Sequence, residues 1–329
     1  MDFSFTEDQQ LLRESMRALL AAECAPSLLR AHMEDVHAIN ALWSHVREYS
    51  PLGPGPMVDL CVVMEELGYV AAPLPFFTSA VLAGPVLRAA DSAAADAVVA
   101  GELSATLAVA GADGVWRANA EPTKTFVQHA DNVDTVVVVD ADGGVTLLDH
   151  PPVRRVVTLD TTNPVFDVDT SRDGTAAGVI SRSALEGVLE RATVALAAEM
   201  VGTARRLLEM SLTYAKERTQ FDVPIGSFQA IQHKLADMSL DVERAWGAVY
   251  YAAMTVDADD DDRHRAAHVA KAAAGEAAKR NAKDGIQIHG GIGFTWEHDL
   301  HLFLRRAFTA EALLGSTGWH HDRLADLLI

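Results

Sequence analysis

The chain has 329 residues, of which 49% are hydrophobic and 22% charged, and its formal net charge is −19 at pH 7. This balance is typical of a globular protein, and the length predicts two or three packed subdomains rather than one core. The acidic charge disfavours nucleic acid as a partner, because binding to the phosphate backbone relies on clustered lysine and arginine. Small anionic ligands are not excluded, since a few local donors can hold them.

The N-terminal segment and the cysteine content predict a cytoplasmic location. Residues 1–8 have neither the basic stretch nor the apolar core of a signal peptide. Cys24 and Cys61 are the only cysteines, which indicates a reducing compartment and no disulfide framework. No apolar run reaches membrane-spanning length, so we expect no membrane insertion.

Residues 1–105 are predicted to form a helical domain. Thr6 is followed three residues later by Gln9, the pattern of a capping box, and leucines at helical spacing come next. A segment rich in proline and glycine at 51–56 separates this helix from another at about 60–67.

Residues 106–180 are predicted to form a small β-domain. The β-branched run 134–139 is followed by turn-forming residues at 140–144 and by a returning strand at 145–148. Further strands are predicted at 153–159 and 165–168.

Residues 181–329 are predicted to form a bundle of four antiparallel helices. Ser183, with Glu186, is expected to cap the first helix, and Ser227 the second. The acidic stretch 257–262 is predicted to be a solvated connection without a metal. The four helices are expected to end near Thr219, Thr255, residue 286 and Leu314. The predicted fold class is therefore α+β and mainly α.

A first signature follows the first helix of this bundle. The chain reads Arg-Thr-Gln-Phe at 218–221, Ile-Gly-Ser-Phe-Gln at 225–229 and Leu-Ala-Asp-Met at 235–238. This order resembles the flavin-binding signature of the acyl-CoA dehydrogenase family, in which Arg-x-x-Phe-Gly, Ile-Gly-x-x-Gln and Leu-Ala-Asp-Met follow one another. The order of a helical domain, a β-domain and a helical bundle is also similar to that family.

The resemblance implies that this signature contacts the adenosine and pyrophosphate of an FAD that belongs to a neighbouring subunit. A guanidinium matches pyrophosphate oxygens well, and a helix N-terminus offers free N–H groups. A surface salt bridge of Arg218 with Glu217 or Asp222 is the alternative. Asp222 departs from the family, which has glycine there. The implied contact residues are Arg218, Gln220, Phe221, Ile225, Phe228 and Gln229.

A second signature reads Gln-Ile-His-Gly-Gly-Ile-Gly-Phe-Thr at 287–295. Adjacent glycines allow a backbone to approach a ligand that any Cβ would block. The resemblance implies that Gln287, Ile288, Gly290 and Gly291 also contact the partner's FAD. His289 is expected to be a capping or packing residue.

The motifs with which family members hold their own flavin are degraded here. The family carries motifs similar to Thr-Glu-Pro-x-x-Gly-Ser-Asp and Trp-x-Thr/Ser-Asn in its β-domain. Residues 107–113 and 122–131 of this chain lack the distinguishing side chains. We expect the chain alone to bind flavin poorly.

The resemblance places no catalytic residue in this chain. Leu314 stands where the family usually has its glutamate base, and the alternative position on the preceding helix falls near Ala192. Glu190, Glu199 and Glu311 are weak substitutes, because glutamates on long helices are usually solvated.

The preferred interpretation is a non-catalytic subunit of a heteromeric acyl-CoA dehydrogenase with an α2β2 arrangement. The resemblance implies an acyl-CoA substrate, with steroid side-chain thioesters among the candidates, and electron-transfer flavoprotein as the electron acceptor. One alternative is a self-sufficient homotetramer with a non-standard base. Another is a scaffold that has lost flavin.

Overall fold

The computed structural model describes residues 4–328. Residues 1–3, which begin the N-terminal segment considered above, and Ile329 lie outside the described residues. Two units are present: the first comprises Met1–Pro26, Cys61–Ala72 and Leu196–Ile329, and the second Ser27–Leu60 and Pro73–Ala195. The division into domains at 1–105, 106–180 and 181–329 stays a prediction.

The α-helices of the described chain are α1 (Glu7–Glu23), α2 (Pro26–Glu34), α3 (Asn40–Val46), α4 (Met57–Tyr69), α5 (Gly84–Ala89), α6 (Ala95–Val99), α7 (Arg182–Glu217), α8 (Gln229–Asp257), α9 (Arg263–His289), α10 (Leu300–Ala312) and α11 (Thr317–Leu328). Shorter helical segments are the 3₁₀ turns Val36–Ile39, Arg47–Leu52, Ile225–Ser227 and Gly290–Phe294 and the π-helical segment Phe77–Ala83. Among these helices, none is both long and apolar enough to cross a membrane.

Local capping confirms one predicted helix start and corrects two. The capping box of Thr6 and Gln9 is present at α1. Ser183 does not cap α7: the amide of Ala184 donates to Ser181 Oγ at 3.1 Å, and Glu186 accepts from Arg182 instead. Ser227 does not cap α8, because its hydroxyl donates to the carbonyl of Pro224 within the preceding 3₁₀ turn.

In the first unit, α9 packs against α8, α10 and α11. Its buried face consists mostly of alanines, which lets the neighbouring helices approach closely. Asn281 in the middle of α9 is fully buried and donates to the carbonyls of Ala204 and Met238, so it ties α9 to both α7 and α8. The predicted bundle helices are thus present, and α11 is an additional helix that was not predicted.

Helices α4 and α7 cross at backbone distance in the first unit. A Cβ added to Gly68 would lie 1.9 Å from the carbonyl oxygen of Glu199, and one added to Gly202 would lie 1.9 Å from that of Glu65. Each helix therefore presents a glycine to the other's main chain, and this position requires the absence of a side chain.

The second unit contains the strands β1 (Ala105–Ala108), β2 (Thr123–Gln128), β3 (Thr135–Val139), β4 (Gly144–Leu148), β5 (Val153–Val156), β6 (Val165–Asp169) and β7 (Thr175–Val179). A four-stranded sheet has the order β1-β3-β4-β7, with β1 and β3 parallel, and a three-stranded antiparallel sheet has the order β2-β6-β5. One buried cluster takes Ala108, Val136 and Leu148 from the first sheet and Val127 and Phe166 from the second. The two sheets therefore share a core. The predicted hairpin is confirmed, whereas β1, β2 and β7 were not predicted.

Candidate functional site

The first signature forms a tight hairpin directly after α7. Two short strands, β8 (Thr219–Gln220) and β9 (Val223–Pro224), pair antiparallel around the turn residues Phe221 and Asp222. Both turn residues have positive φ, 53° and 65°, as two-residue I′ turns require. Aspartate tolerates this region better than most residues. Asp222 thus takes the backbone conformation for which the family's glycine is suited.

The hairpin and the start of α8 leave their functional candidates at the surface. Phe221 is 88% exposed and its ring lies edge-on to that of Phe228, with ring centroids 6.2 Å apart. Gln220 donates its side-chain amide to the carbonyl of Thr219. Across residues 4–328, no side-chain hydrogen bond or ion pair engages Arg218 or Gln229. The alternative salt bridge of Arg218 with Glu217 or Asp222 is therefore not formed.

The second signature lies where α9 ends. Gly290 has a φ of +64° and ends the helix, and a Cβ added to Gly290 or Gly291 would have no atom of the described residues within 4 Å. Gln287 is exposed, and its side chain has no hydrogen-bond partner in the described part of the chain. This end of α9 therefore presents a free amide beside an open backbone.

A small hydrophobic cluster joins the two signatures. Ile288 is buried with Ala215 and Met238, and Ile225 packs against the same cluster. Ile225 and Ile288, which were predicted as contact residues, therefore pack in this cluster and support the polar side chains of the two signatures. We call Arg218, Gln220, Phe221, Phe228, Gln229, Gln287, Gly290 and Gly291 the signature surface.

His289 packs against Tyr214 of α7, as expected of a packing residue. Its ring stacks on Tyr214 with centroids 4.4 Å apart, and its Nδ1 donates to the carbonyl of Gly285 at 2.8 Å. Burial lowers the pKa of His289, the hydrogen bond to Gly285 offsets part of this, and nearby His298 adds to the lowering. The side chain is a neutral packing residue.

An open cleft of about 280 Å³ adjoins this stack and was not predicted. Arg206, Glu209 and Tyr214 of α7 line it together with His298. Arg206 donates to the hydroxyl of Tyr69 at 3.2 Å. Sequence analysis missed the cleft because α7 and His298 belong to no shared motif.

Leu314 and Ala192, the two positions at which the resemblance implies a base, carry apolar side chains. Leu314 is buried, has a φ of +54°, and its carbonyl lies 3.1 Å from His320 Nε2. Ala192 is fully buried in α7. At both positions the side chain is apolar and enclosed.

Glu199 is not the solvated glutamate that was expected. It is buried and forms an ion pair of 3.0 Å with Arg306, whose side chain is itself 3% exposed. Arg306 also donates to the carbonyls of Ala71 and Ala72, after the end of α4. Glu199 therefore balances a buried charge that holds two chain segments together.

Glu311 is likewise occupied, whereas Glu190 is half-buried on α7. Glu311 accepts from Lys279 Nζ at 2.6 Å and from the amide of Thr317, the first residue of α11, at 2.9 Å. Burial alone would raise the pKa of Glu311, but the hydrogen bonds from Lys279 and Thr317 outweigh it and lower the pKa. The expectation of a solvated side chain was wrong here too.

In the second unit, the loop 109–121 satisfies its own donors. The amide of Ala112 donates to Glu121 Oε2 at 2.8 Å, and Asn119 Nδ2 donates to the carbonyl of Val109 at 2.7 Å. Lys124 is buried and donates to both oxygens of Asn119, each at 2.7 Å. Burial lowers the pKa of Lys124, while the nearby carboxylate of Glu121 opposes this.

Comparison with known proteins gives relatives along the whole chain. Residues 182–329 match the family described as acyl-CoA dehydrogenase, C-terminal domain. The chain is 32% identical over 324 residues to the acyl-CoA dehydrogenase IpdE2 of Mycobacterium tuberculosis, covering 94% of each chain. It is 29% identical over 323 residues to IpdE2 of Mycolicibacterium smegmatis, covering 94% of this chain and 95% of that protein.

Solved structures agree with these sequence matches. A chain of the ChsE4–ChsE5 complex of Mycobacterium tuberculosis superposes with a TM-score of 0.87 at 25% identity, covering 100% of this chain and 99% of that one. A chain of the steroid ACAD Tcur3481–Tcur3483, G363A variant, gives 0.86 at 26% identity and 98% coverage of both. The predicted fold class, α+β and mainly α, is confirmed.

Proposed function

This chain belongs to the acyl-CoA dehydrogenase family, and we propose that it serves as the non-catalytic subunit of a heteromeric acyl-CoA dehydrogenase. One observation carries the proposal. Arg218, Gln229 and Gln287 of the signature surface are exposed and have no side-chain partner among the described residues, whereas Leu314 stands where the resemblance implies a base and Glu199 and Glu311 are occupied in structural contacts. A chain built in this way can complete a site but cannot supply its base.

The signature surface fits the phosphate end of FAD. Arg218 offers a guanidinium whose donors are unused among residues 4–328, Gln229 and Gln287 offer amides, and no described atom lies within 4 Å of a Cβ added to Gly290 or Gly291. Arginine and backbone N–H groups are the usual donors to pyrophosphate. When bound, FAD supplies the hydride acceptor for α,β-dehydrogenation of a thioester.

The loop 109–121 does not fit the flavin end in the same way. The carboxylate of Glu121 already accepts from the amide of Ala112, and it stands 2.6 Å from where a Cβ of Gly111 would be. We propose that the flavin ring pocket and the glutamate base both come from the partner chain. This chain's residues then orient the cofactor without touching the proton that is removed.

The proposed assembly follows the relatives. One superposed chain comes from a ChsE4–ChsE5 complex and another from a steroid ACAD, Tcur3481–Tcur3483, as the names of these structures state. We propose an α2β2 heterotetramer that acts on an acyl-CoA, with steroid side-chain thioesters as the favoured class. Electron-transfer flavoprotein is the expected electron acceptor, and a cytoplasmic location stays a prediction.

Flavin counting tests the proposal directly. The chain is produced alone and together with a candidate partner of the same family, and flavin per chain is measured from absorbance after gel filtration. We expect the chain alone to be colourless and the complex to be yellow and active. A yellow chain, fully loaded without a partner, would favour the self-sufficient homotetramer. A complex that forms without flavin would favour the scaffold.

A further inference from the structure

The α11 helix is fastened to α9 by a pair of histidines. His268 on α9 and His320 on α11 face each other with their Nδ1 atoms 2.8 Å apart. His320 Nε2 lies 3.1 Å from the carbonyl of Leu314. The pair thus connects α9, α11 and the segment between α10 and α11.

The hydrogen bonds fix which nitrogen carries each proton. A carbonyl only accepts, so His320 Nε2 carries a proton and donates to Leu314. The Nδ1 of neutral His320 is then an acceptor, and His268 Nδ1 must donate to it. A first added proton can bind Nε2 of His268 and leave the hydrogen bond between the two Nδ1 atoms intact. A second proton must bind Nδ1 of His320, and no acceptor then remains between the two rings.

Other contacts fasten the same junction. Lys271 is fully buried and donates to the carbonyls of Glu311 and Gly315, both at 3.0 Å. The Glu311 carboxylate accepts from the amide of Thr317 at the start of α11. The segment 313–316 is therefore held from α9, α10 and α11 together.

Burial, and after it the neighbouring positive charges, oppose a proton on either ring. Burial lowers the pKa of His268 to about 4, with added repulsion from His264 and Arg323. Burial lowers the pKa of His320 to about 3, with added repulsion from Lys271 and His268 that the carbonyl of Leu314 partly offsets. The titratable and charged groups that act on the pair are His264 and Lys271 on α9 and His321 and Arg323 on α11. Around these groups, Glu311 of α10 and Lys279 of α9 act on Lys271, and Glu276 of α9 lies 3.6 Å from His321.

We propose that the His268–His320 pair is a proton-sensitive latch that docks α11 when both rings are neutral and releases it on acidification. Release breaks the contacts of His320 with Leu314 and of Glu311 with Thr317. The segment that replaces the family's catalytic loop then loses its fixed conformation.

The direction and size follow from proton linkage. Both pKa values are lower in the docked state than the ordinary value near 6.5, so docking is strongest above pH 6.5 and weakens as the pH falls. At pH 5.5, protonation of each released imidazole shifts the equilibrium between docked and released α11 about ten-fold toward release. The two imidazoles together therefore favour release on the order of a hundred-fold.

Hydrogen exchange of the full-length chain tests the latch. Protection of amides in α11, corrected for intrinsic exchange, should fall on the order of a hundred-fold between pH 7.5 and pH 5.5, while that of α8 stays constant. The double variant His268→Asn/His320→Gln keeps donors at similar places and cannot be protonated, so its α11 should stay docked. His233→Gln, an exposed histidine on α8, is the control and should behave as the wild type.

Two results would overturn the latch: α11 protection that does not change with pH in the wild type, or the same pH dependence in the double variant. If α11 of the double variant is exposed at every pH, that variant does not test the latch, and a measurement on the wild type is used instead. Nitrogen NMR of the imidazoles must then show that His268 and His320 take up protons at the pH at which α11 is released. Release without that uptake would refute the proposal.

Discussion

The signature surface and the carboxylates of Glu199 and Glu311 use their polar groups in opposite ways. Arg218, Gln229 and Gln287 are exposed and unpaired among the described residues, whereas Glu199 and Glu311 are held by Arg306, Lys279 and Thr317. Unpaired donors at a surface cost little in water and remain available to a ligand. Carboxylates committed to buried partners are not available as bases. The comparison is the basis on which we propose that this chain binds the cofactor and leaves proton transfer to its partner.

The largest expected difference concerns turnover of the complex. Glu190→Gln and Glu311→Gln should each leave turnover within a few-fold of wild type, because neither side chain removes the substrate's proton. Replacing the partner's glutamate by glutamine should reduce the rate by about 10² to 10⁴, the usual cost of a missing general base. Steady-state rates of the purified complexes measure this. If either variant of this chain silenced an intact, flavin-loaded complex, the comparison above would fail.

The second effect concerns the buried ion pair. Arg306→Met should lower the free energy of unfolding by about 3–5 kcal/mol, because Glu199 then loses its ion pair in a buried place. Arg182→Met is the control: its ion pair with Glu186 is exposed, so its loss should cost about 0.5 kcal/mol or less. Urea unfolding of both variants gives the numbers. Equal effects would mean that Glu199 is not committed to Arg306.

The third effect tests the unpaired donors. Arg218→Ala or Gln287→Ala should lower the flavin content of the complex, since a charge-assisted contact to phosphate contributes about 1.5–3 kcal/mol, or tenfold and more in affinity. Flavin per complex is read from absorbance. Arg182→Ala, which removes an exposed arginine of the second unit, should not change it. Full flavin in both signature variants would mean that the surface has another use.

The smallest effect concerns the turn that carries Phe221. Because Asp222 has a φ of 65°, Asp222→Ala should be less stable than Asp222→Gly by about 1 kcal/mol. Asp237 is exposed within α8. There, Asp237→Ala should be more stable than Asp237→Gly by about 1 kcal/mol, because alanine has the higher helix propensity. Thermal unfolding compares the two pairs. The same order at both positions would exclude the left-handed conformation at Asp222.

Local patterns predicted the elements that local forces determine. The turn at 140–144 formed as expected because the Asp140 carboxylate accepts from the amides of Asp142 and Gly144 within the turn itself. Strand β1 was not predicted because it has only four residues, too few to show an alternating pattern. Its partner strand β3 is also distant in sequence, since Ala105 pairs with Thr135. Helix α11 was not predicted although Ser316 caps it by accepting from the amide of Trp319 at 3.3 Å; its first amide, that of Thr317, depends on Glu311 from the preceding helix, a contact that sequence does not reveal.

The signatures predicted where the contact residues lie but not which acids are buried. Arg218 and Gln287 belong to contiguous strings, so their grouping could be recognised from sequence alone. Glu199 was expected to be solvated, because its partner Arg306 is far away in the sequence and no local pattern indicates the ion pair. Such pairings depend on which helix faces meet, and only the tertiary structure determines them.

The reciprocal glycine contact between α4 and α7 restricts how this sequence can vary. An enlarged side chain in a core is often accommodated when a neighbouring side chain becomes smaller. Gly68 and Gly202 face carbonyl oxygens of the opposite main chain, which no substitution can make smaller. A change at either position therefore has no second-site suppressor across the contact, and the two helices can diverge in sequence everywhere except where they touch.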